Sequence, residues 1–569
     1  MLAIVGSAIA VAVLTLTSLV VKRRRHAALL GRLRAEWGAP GERIRDMAAI
    51  EAYYRACMAS DVEGALDDRT WDDLNLADVF TVLDRTESGI GQQALYARLR
   101  GAPDTARLQL FEALVTRLSD DAPTREGIQL ALRRLRAPAA YHLWRLSEPG
   151  LLRGAPRPGL FILAAIGVIA LILVTPFLPP ALLFLLGVVL INLVARDRLA
   201  PRLGAIAEPF RLVPRLLRAA AALNALHHGP VPSLTSALEI DTDRLLRIGY
   251  LAKWSGRISG ERSRNIVALL VDAINMLLWL DVIALLQGAA ELQTKGRELL
   301  RVIDAVGELD AALSIASYRA GTPGWTRPAF QPASAVLRGL RHPLLSDAVP
   351  NSITLVPPTG AIITGSNMSG KSTFLRTVGV NVVLAQTVHT CLASHYDGPL
   401  FTVRSCIGRS DDPQSGRSYY VVEVDAVLAI VRAAQSARPH LMLFDELFRG
   451  TNAVERLSAG EAVLRTLLAR PPDRPPAPHV VLAATHDDEL VDLLAGTYVP
   501  YHFTDTVDAG GMRFSHRLEP GKATPRNAIA LLEGRGAPAE LVAQARARVA
   551  VLDRQRSQVI SDWALQPSR

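Results

Sequence analysis

Residues 365–373 read Gly365-Ser366-Asn367-Met368-Ser369-Gly370-Lys371-Ser372-Thr373, a complete Walker A pattern in which the second fixed glycine is followed directly by lysine and serine. This spacing suits the cradling of phosphates. Backbone N–H groups close around them, Lys371 neutralises the β and γ oxygens, and the Ser372 hydroxyl ligates Mg2+. Farther along, Leu441-Met442-Leu443-Phe444 runs into Asp445-Glu446, a Walker B arrangement of an apolar strand closing on two carboxylates. Asp445 is expected to hold the Mg2+ shell and Glu446 to position and polarise the attacking water, because phosphoryl transfer needs alignment and charge neutralisation more than covalent chemistry. A third apolar run, Val480–Ala484, ends in Thr485-His486. A histidine there reaches the γ-phosphate if the run is a strand of the same sheet, since ligands of open α/β sheets bind at the strands' carboxyl ends. Glu446, Lys371 and His486 are thus the candidate catalytic side chains. Residues 365–373 form the candidate nucleotide loop, Ser372 and Asp445 are the candidate metal ligands, and ATP with Mg2+ is the expected ligand. Each pattern has a plainer reading: a glycine turn with a chance lysine, a solvated acidic turn, an exposed histidine. Their order along one chain outweighs all three.

Strand, loop and helix must position these groups. The apolar run Ala361 to Thr364 precedes the loop, and Leu375, Val378, Gly379, Val382, Val383 and Gln386 follow it at i, i+3, i+4 spacing, a helix apolar on one face. The Pro- and Arg-rich stretch from Arg470 to Pro478 is a loop. Near the C-terminus, Ala537 to Asp553 is a candidate helix carrying Arg546 and Arg548, expected to be a solvated dimerisation helix rather than a nucleic-acid contact.

A chain of 569 residues is too long for one ordinary core and must divide into domains. Half its residues are apolar and its mean hydropathy is +0.21, high for a soluble protein and low for a transporter immersed in lipid. Cys57, Cys391 and Cys406 have neither zinc-site spacing nor the density of a disulfide scaffold, which fits a reducing cytoplasm. The net charge of +9 suits an anionic membrane surface or nucleic acid without choosing between them. Met1 to Val21 is an uncharged apolar run followed by Lys22-Arg23-Arg24-Arg25; charges after the run predict an uncleaved anchor with its N-terminus outside. Gly159 to Ala195 carries no charged side chain and is interrupted by Thr175-Pro176-Phe177-Leu178-Pro179-Pro180, which predicts a transmembrane hairpin with both arginine-bearing flanks inside. Asn265 to Gln287 contains Asp272 and Asp281 on opposite helix faces. Each carboxylate costs roughly 2.5–3.5 kcal/mol at a bilayer centre, so this segment reads as a buried soluble helix. The expectation is a multi-pass inner-membrane protein with membrane lipid as a partner and its nucleotide site in the cytoplasm.

Asp445-Glu446-Leu447-Phe448-Arg449-Gly450-Thr451 resembles the signature that follows Walker B in the MutS family of DNA mismatch-repair ATPases, and Gly365-Ser366-Asn367-Met368 resembles that family's Walker A, with its unusual Asn-Met. Arg341-His342-Pro343-Leu344 and Val349-Pro350-Asn351 resemble the segments leading into the ATPase. Asp411-Asp412 through Gly416-Arg417-Ser418-Tyr419-Tyr420 and Glu423 resemble the loop between the Walkers, Ala484-Thr485-His486 the histidine switch, and Pro525-Arg526-Asn527-Ala528 the approach to an arginine-rich helix. The resemblance runs from about residue 335 to 550. It implies an α/β P-loop ATPase domain of ABC/MutS type preceded by a mostly α-helical core, and a composite ATPase in which Ser418 touches the γ-phosphate bound by a second protomer of a homodimer. More weakly, Thr81-Val82-Leu83-Asp84-Arg85-Thr86 with Gly91 and Leu95-Tyr96 resembles the start of the family's helical core, and Glu308 to Ser317 its return to the ATPase; by analogy these helices are a lever.

Departures qualify the analogy. Ser366 and Ser369 replace the usual proline and glycine, Asn452-Ala453-Val454-Glu455-Arg456 replaces Ser-Thr-x-Asp-Gly, and the N-terminal region offers no Phe-x-Glu wedge. The expected organisation is therefore an anchor at 1–21, a cytoplasmic helical segment at 22–158, a transmembrane hairpin at 159–196, a helical lever at 197–330 and the ATPase at 331–569. The expected function is a membrane-anchored ATPase switch that moves the lever, with DNA as a partner but without mismatch recognition. Two alternatives stand beside it: an ABC-type transport-associated ATPase, and an ATP-dependent membrane scaffold with a protein partner. Leu457-Ser458-Ala459-Gly460-Glu461 resembles the ABC signature, but it follows Walker B where transporters have it before.

Overall fold

A computed structural model describes residues 2–41, 43–57, 63–153, 155–224, 245–255, 273–332, 334–366, 368–408, 419–436, 438–469, 479–508, 511–522, 529, 532–533 and 535–564. Asn367, Asp272, the 411–418 stretch with Ser418, the 470–478 loop and Pro525 to Ala528 lie outside them. The chain forms two compact units. One groups Met1–Ala59, Leu83–Ala97 and Leu110–Gly321; the other groups Ser60–Val82, Arg98–Gln109 and Thr322–Arg569. Residues 60–82 and 98–109, which the sequence reading puts in the first helical segment, thus group with Thr322–Arg569.

The transmembrane expectation is corrected. Among the described residues no helix is long and apolar enough to cross a membrane. Helix Pro158–Val174 has 17 residues, about 26 Å at 1.5 Å per residue against a hydrocarbon core of about 30 Å. Helix Ala181–Phe210 is apolar only as far as Arg196, which pairs with the buried Asp281. Helix Leu2–Glu36 runs unbroken through Lys22 to Arg25. The break read at Thr175 to Pro180 does separate helices Pro158–Val174 and Ala181–Phe210; what falls short is the apolar length on each side of it. The anchor at 1–21, the hairpin at 159–196, the lipid partner and the inner-membrane placement built on them are withdrawn.

The first unit is helical. In helix Gly296–Gly321 the buried Leu299, Val302, Ile303 and Val306 recur at helical spacing, and from Leu309 to Arg319 every residue is buried, as in a helix enclosed on all sides. The segments read as the start and return of a helical core meet here. Arg85 donates to the carbonyls of Gly38 at 2.8 Å and Ser317 at 2.6 Å, and its own N–H donates to the Ser314 hydroxyl at 2.7 Å. Buried Asp310 accepts the Glu87 N–H at 2.8 Å and the Ser88 hydroxyl at 2.6 Å. Asp281, in helix Leu280–Thr294, is fully buried; the single helix read over Asn265 to Gln287 is broken at Trp279, whose backbone is left-handed at φ 54°, and residues 265–272 lie outside the described residues.

The second unit is α/β. Its ten strands among the described residues are β1 (Ala329–Phe330), β2 (Ala335–Leu340), β3 (Asn351–Leu355), β4 (Thr359–Thr364), β5 (His395–Gly398), β6 (Thr402–Cys406), β7 (His440–Asp445), β8 (Val480–Ala484), β9 (Tyr498–Asp508) and β10 (Gly511–Pro520). A six-stranded sheet has the order β10-β9-β4-β8-β7-β6, and a four-stranded sheet the order β1-β5-β2-β3. From β9 to β6 every neighbouring pair is parallel; β10 returns antiparallel on β9. Parallel strands buried on both faces read as continuous apolar runs, which is why β4, β7 and β8 were legible. Helix Lys371–Val388 packs on β7 and β8, and the helices Tyr419–Ala433 and Ala453–Leu468 enclose a core around Phe444, Met442, Val481 and Leu464. The C-terminal helix is Ala539–Ala564.

Candidate active site

Register determines what meets at the sheet's carboxyl edge. β8 lies between β4 and β7, so Ala484 is paired with both Ile363 and Asp445. The Thr485 N–H donates to the Ile363 carbonyl at 3.0 Å, and the Glu446 N–H to the Ala484 carbonyl at 2.9 Å. Three loops that are far apart in sequence therefore open side by side.

The loop before the helix turns through Gly365 (φ 145°), Met368 (φ 74°) and Gly370 (φ 116°), and the helix begins at Lys371. A Cβ at Gly365 would lie 2.8 Å from Ser369 Oγ, so glycine is required there for space as well as for its backbone angle. Lys371 is 5% exposed; its ammonium donates to the Gly365 and Ser366 carbonyls, both at 2.8 Å, and lies 3.4 Å from His486 Nε2. Ser369 Oγ is buried and has no hydrogen-bond partner among the described residues. Thr373 follows in the helix's first turn, and Met368 is exposed.

Ser372 Oγ donates to Asp445 Oδ2 at 2.5 Å, so the two candidate metal ligands are adjacent. Burial pushes the Asp445 carboxyl up, and Glu446 adds to this, while the Ser372 hydrogen bond and the charges of Lys371 and Arg376 oppose it. A hydroxyl and a carboxylate beside a buried lysine are hard-oxygen and phosphate chemistry, and they fit Mg2+ and a polyphosphate.

Glu446 is turned out of the strand by a left-handed backbone, φ 58°. Its Oε1 accepts from His486 Nε2 at 2.6 Å and its Oε2 from Arg449 Nε at 2.7 Å. Burial acts to raise this carboxyl; the His486 hydrogen bond and the charges of His486, Arg449 and Lys371 outweigh it and hold Glu446 below the usual carboxylate range. The turn is anchored from a helix: buried Glu423 accepts the Phe448 N–H at 2.6 Å, and Phe448 is itself left-handed, φ 57°. Two non-glycine residues at positive φ mark a strained corner that its surroundings must hold. Arg449 and Glu423 entered the sequence reading only within quoted motifs, and their roles here come from the structure. Ser418 and Asn367 lie outside the described residues.

Beside the loop lies a cavity of 410 Å³ that sequence reasoning missed, lined in part by His342, Val349, Met368, Phe374, Phe503 and His516. His516 sits where the β9–β10 register slips between Phe514 and Leu518, with φ 52°. Asn351 holds this bulge: its Nδ2 donates to the His516 carbonyl at 2.9 Å and its Oδ1 accepts the Leu518 N–H at 2.7 Å. His516 Nδ1 lies 3.0 Å from the Ser369 carbonyl, and its ring stacks on Phe514. Burial, then the charge of Arg376, pushes His342 down to about 4.

Residues 361–553 match the family model of MutS domain V. A DNA mismatch repair protein MutS of Thermus thermophilus is 31% identical over 282 residues, 48% of this chain and 33% of that protein. The Thermus aquaticus protein is 33% identical over 255 residues, 44% of this chain and 30% of its own length. That of Natronomonas pharaonis is 34% identical over 250 residues, 42% and 28%. The chain thus spans about a third or less of the length of these relatives.

Proposed function

We propose, for a chain whose C-terminal half belongs to the MutS family, that it binds ATP with Mg2+ and hydrolyses the terminal phosphate. The observation that carries this reading is the Glu446–His486 contact at 2.6 Å, itself 3.4 Å from Lys371, at the ends of three adjacent parallel strands. Ser372 and Asp445 would hold Mg2+, which when bound neutralises phosphate charge and orients the terminal group. Lys371 exchanges its two loop carbonyls for β and γ oxygens. Glu446, held ionised by His486, Arg449 and Lys371, accepts a hydrogen bond from the attacking water and aligns it. His486 Nε2 donates to that carboxylate and sits 3.4 Å from the phosphate-binding lysine, so a γ-phosphate that draws Lys371 away is felt at the Glu446 turn. The cavity walled by Phe374, Phe503 and His516 takes the nucleoside, its apolar and ring surfaces suited to a flat base.

Three finer elements go with this reading. Ser418 completes the site of a second protomer in a homodimer, the helical unit moves as a lever with nucleotide state, and DNA is the partner, without mismatch recognition. DNA enters through the relatives' name, DNA mismatch repair protein, and through the net charge of +9.

The test is phosphate release by the purified full chain with and without double-stranded, branched and single-stranded DNA, in a salt series. Wild type should turn ATP over, and Glu446→Gln should bind ATP without hydrolysing it. Stimulation by DNA that survives physiological salt supports the DNA reading, because nonspecific phosphate contacts weaken steeply with ionic strength. Hydrolysis indifferent to every DNA removes DNA from the proposal, and a wild type that neither binds nor hydrolyses ATP overturns the whole.

A further inference from the structure

The short helix Asp68–Asp73, capped by Asp67, whose carboxylate accepts the Thr70 N–H at 2.6 Å, lies far from the nucleotide motifs in sequence but folds into the same unit as the phosphate loop. It covers β6, the edge strand of the six-stranded sheet. Thr70 Oγ1 accepts the Ser405 N–H at 3.2 Å. Buried Asp73 takes three more donors at the strand's exit: the Ser405 hydroxyl at 2.8 Å, the Ile407 N–H at 2.9 Å and the Gly408 N–H at 2.8 Å. The carbonyl of the same residue accepts Arg376 Nε at 2.7 Å. Arg376 sits in the second turn of helix Lys371–Val388, shortly after the phosphate-binding lysine. The next residue, Leu74, is fully buried against Gly379 of that helix, one turn farther on. Arg69 completes the set, reaching Cys406 Sγ at 3.3 Å.

We propose that Asp73 is a positioning residue for ATP turnover: it ties the phosphate-loop helix to the exit of β6, so that a nucleotide-driven shift of that helix is passed to residues 405–408 and to the 68–74 segment. The inference rests on the ATPase reading above. Asp73 touches no nucleotide; it acts through Arg376 and through two main-chain amides. An edge strand can be covered by any helix or loop, but this covering residue joins the strand exit to the element that carries Lys371. A purely structural staple needs only the first of those two connections.

The experiment is backbone hydrogen exchange on the full chain, apo and with a non-hydrolysable ATP analogue plus Mg2+, followed at 405–408 and 68–74. It is run on wild type, Asp73→Ala and Asp73→Asn, alongside ATP turnover. In wild type the analogue should slow exchange at both stretches by at least threefold. Asp73→Ala keeps the main-chain carbonyl that accepts Arg376 and loses the carboxylate that holds 405–408, so the nucleotide dependence should vanish at 405–408 and persist at 68–74, with kcat reduced about tenfold and ATP KM within twofold. Asp73→Asn keeps one acceptor and should recover part of both; it carries the test if the alanine variant fails to fold. Wild type that binds the analogue without any change at either stretch overturns the inference, as does a folded variant with unaltered kcat and unaltered nucleotide response. Wild type that binds no nucleotide is a failure of the ATPase reading itself, and fluorescence titration with a labelled ATP separates the two.

Discussion

Gly379→Ala sets helix propensity against packing and makes the two predict opposite signs. In an exposed helix interior, replacing glycine by alanine gains about 1 kcal/mol. At Gly379 the added Cβ would lie 2.7 Å from Leu74 Cδ2 and 2.8 Å from Leu443 Cδ1, where carbon atoms prefer about 3.5–4.0 Å. Both leucines are fully buried, so neither can retreat into solvent. Overpacking of this kind costs about 1–3 kcal/mol, which leaves a net loss of about 0–2 kcal/mol in place of the gain. The chain has two units, so a single melting curve is not a two-state measurement; amide exchange along helix Lys371–Val388 gives the local opening free energy. Gly127→Ala is the control, in helix Ala122–Leu132 with nothing within 4 Å of the added atom, and should stabilise its own helix by about 1 kcal/mol. If protection in 371–388 rises as it does around residue 127, Leu74 is not a wedge and the tight junction does not exist.

Three further outcomes follow from the site and its sheet. His486→Ala removes the 2.6 Å hydrogen bond to Glu446 and should lower kcat by about 10² with KM within threefold, the order expected for one preorganised donor; unchanged turnover would show that Glu446 needs no such partner. Asn351→Ala releases both hydrogen bonds that hold the His516 bulge, each worth about 1 kcal/mol; ATP affinity should fall about tenfold while kcat stays within twofold, and equal losses in both would place Asn351 elsewhere in the cycle. His440, at the start of β7, is pushed down to about 4 by burial and by the charges of His479, Arg404 and Arg438, against its hydrogen bond to the Arg438 carbonyl. Because the folded value lies below the ordinary 6.5, the unfolded chain takes the proton first. The stability His440 contributes is present above 6.5 and is lost as pH falls toward 4, on the order of 3 kcal/mol at most. Urea unfolding followed at the second unit at pH 7 and pH 5 should show about 2 kcal/mol of that loss in wild type and a smaller one in His440→Gln; equal losses would place the histidine in contact with solvent.

The phosphate end of the site was legible because its constraints are local. A loop that must surround phosphates needs glycine at fixed spacings, and a strand that must end on carboxylates writes both features into consecutive letters; β4, β7 and β8 are buried on both faces and read as unbroken apolar runs. The cavity beside it left no such trace. His516 reaches the loop only because a register slip turns it there, and the residue that holds the slip, Asn351, is 165 positions away. The membrane reading failed on length: the break at Thr175 to Pro180 falls where the sequence puts it, but the first helix has 17 residues and the second carries charge from Arg196 onward.

Residues 60–82 show the same limit from the other direction. Their partners at β6 are mostly main-chain N–H groups, which every sequence possesses, so no motif could announce that Asp73 belongs with Arg376, 303 positions later. What did require them is physical. The strand order places β6 at the open end of a parallel sheet, and an uncovered edge there would leave a row of unpaired backbone groups next to the candidate site. The chain fills that edge with a segment from the far side of its own sequence, and in doing so gives the candidate site a connection that runs to helix Lys371–Val388.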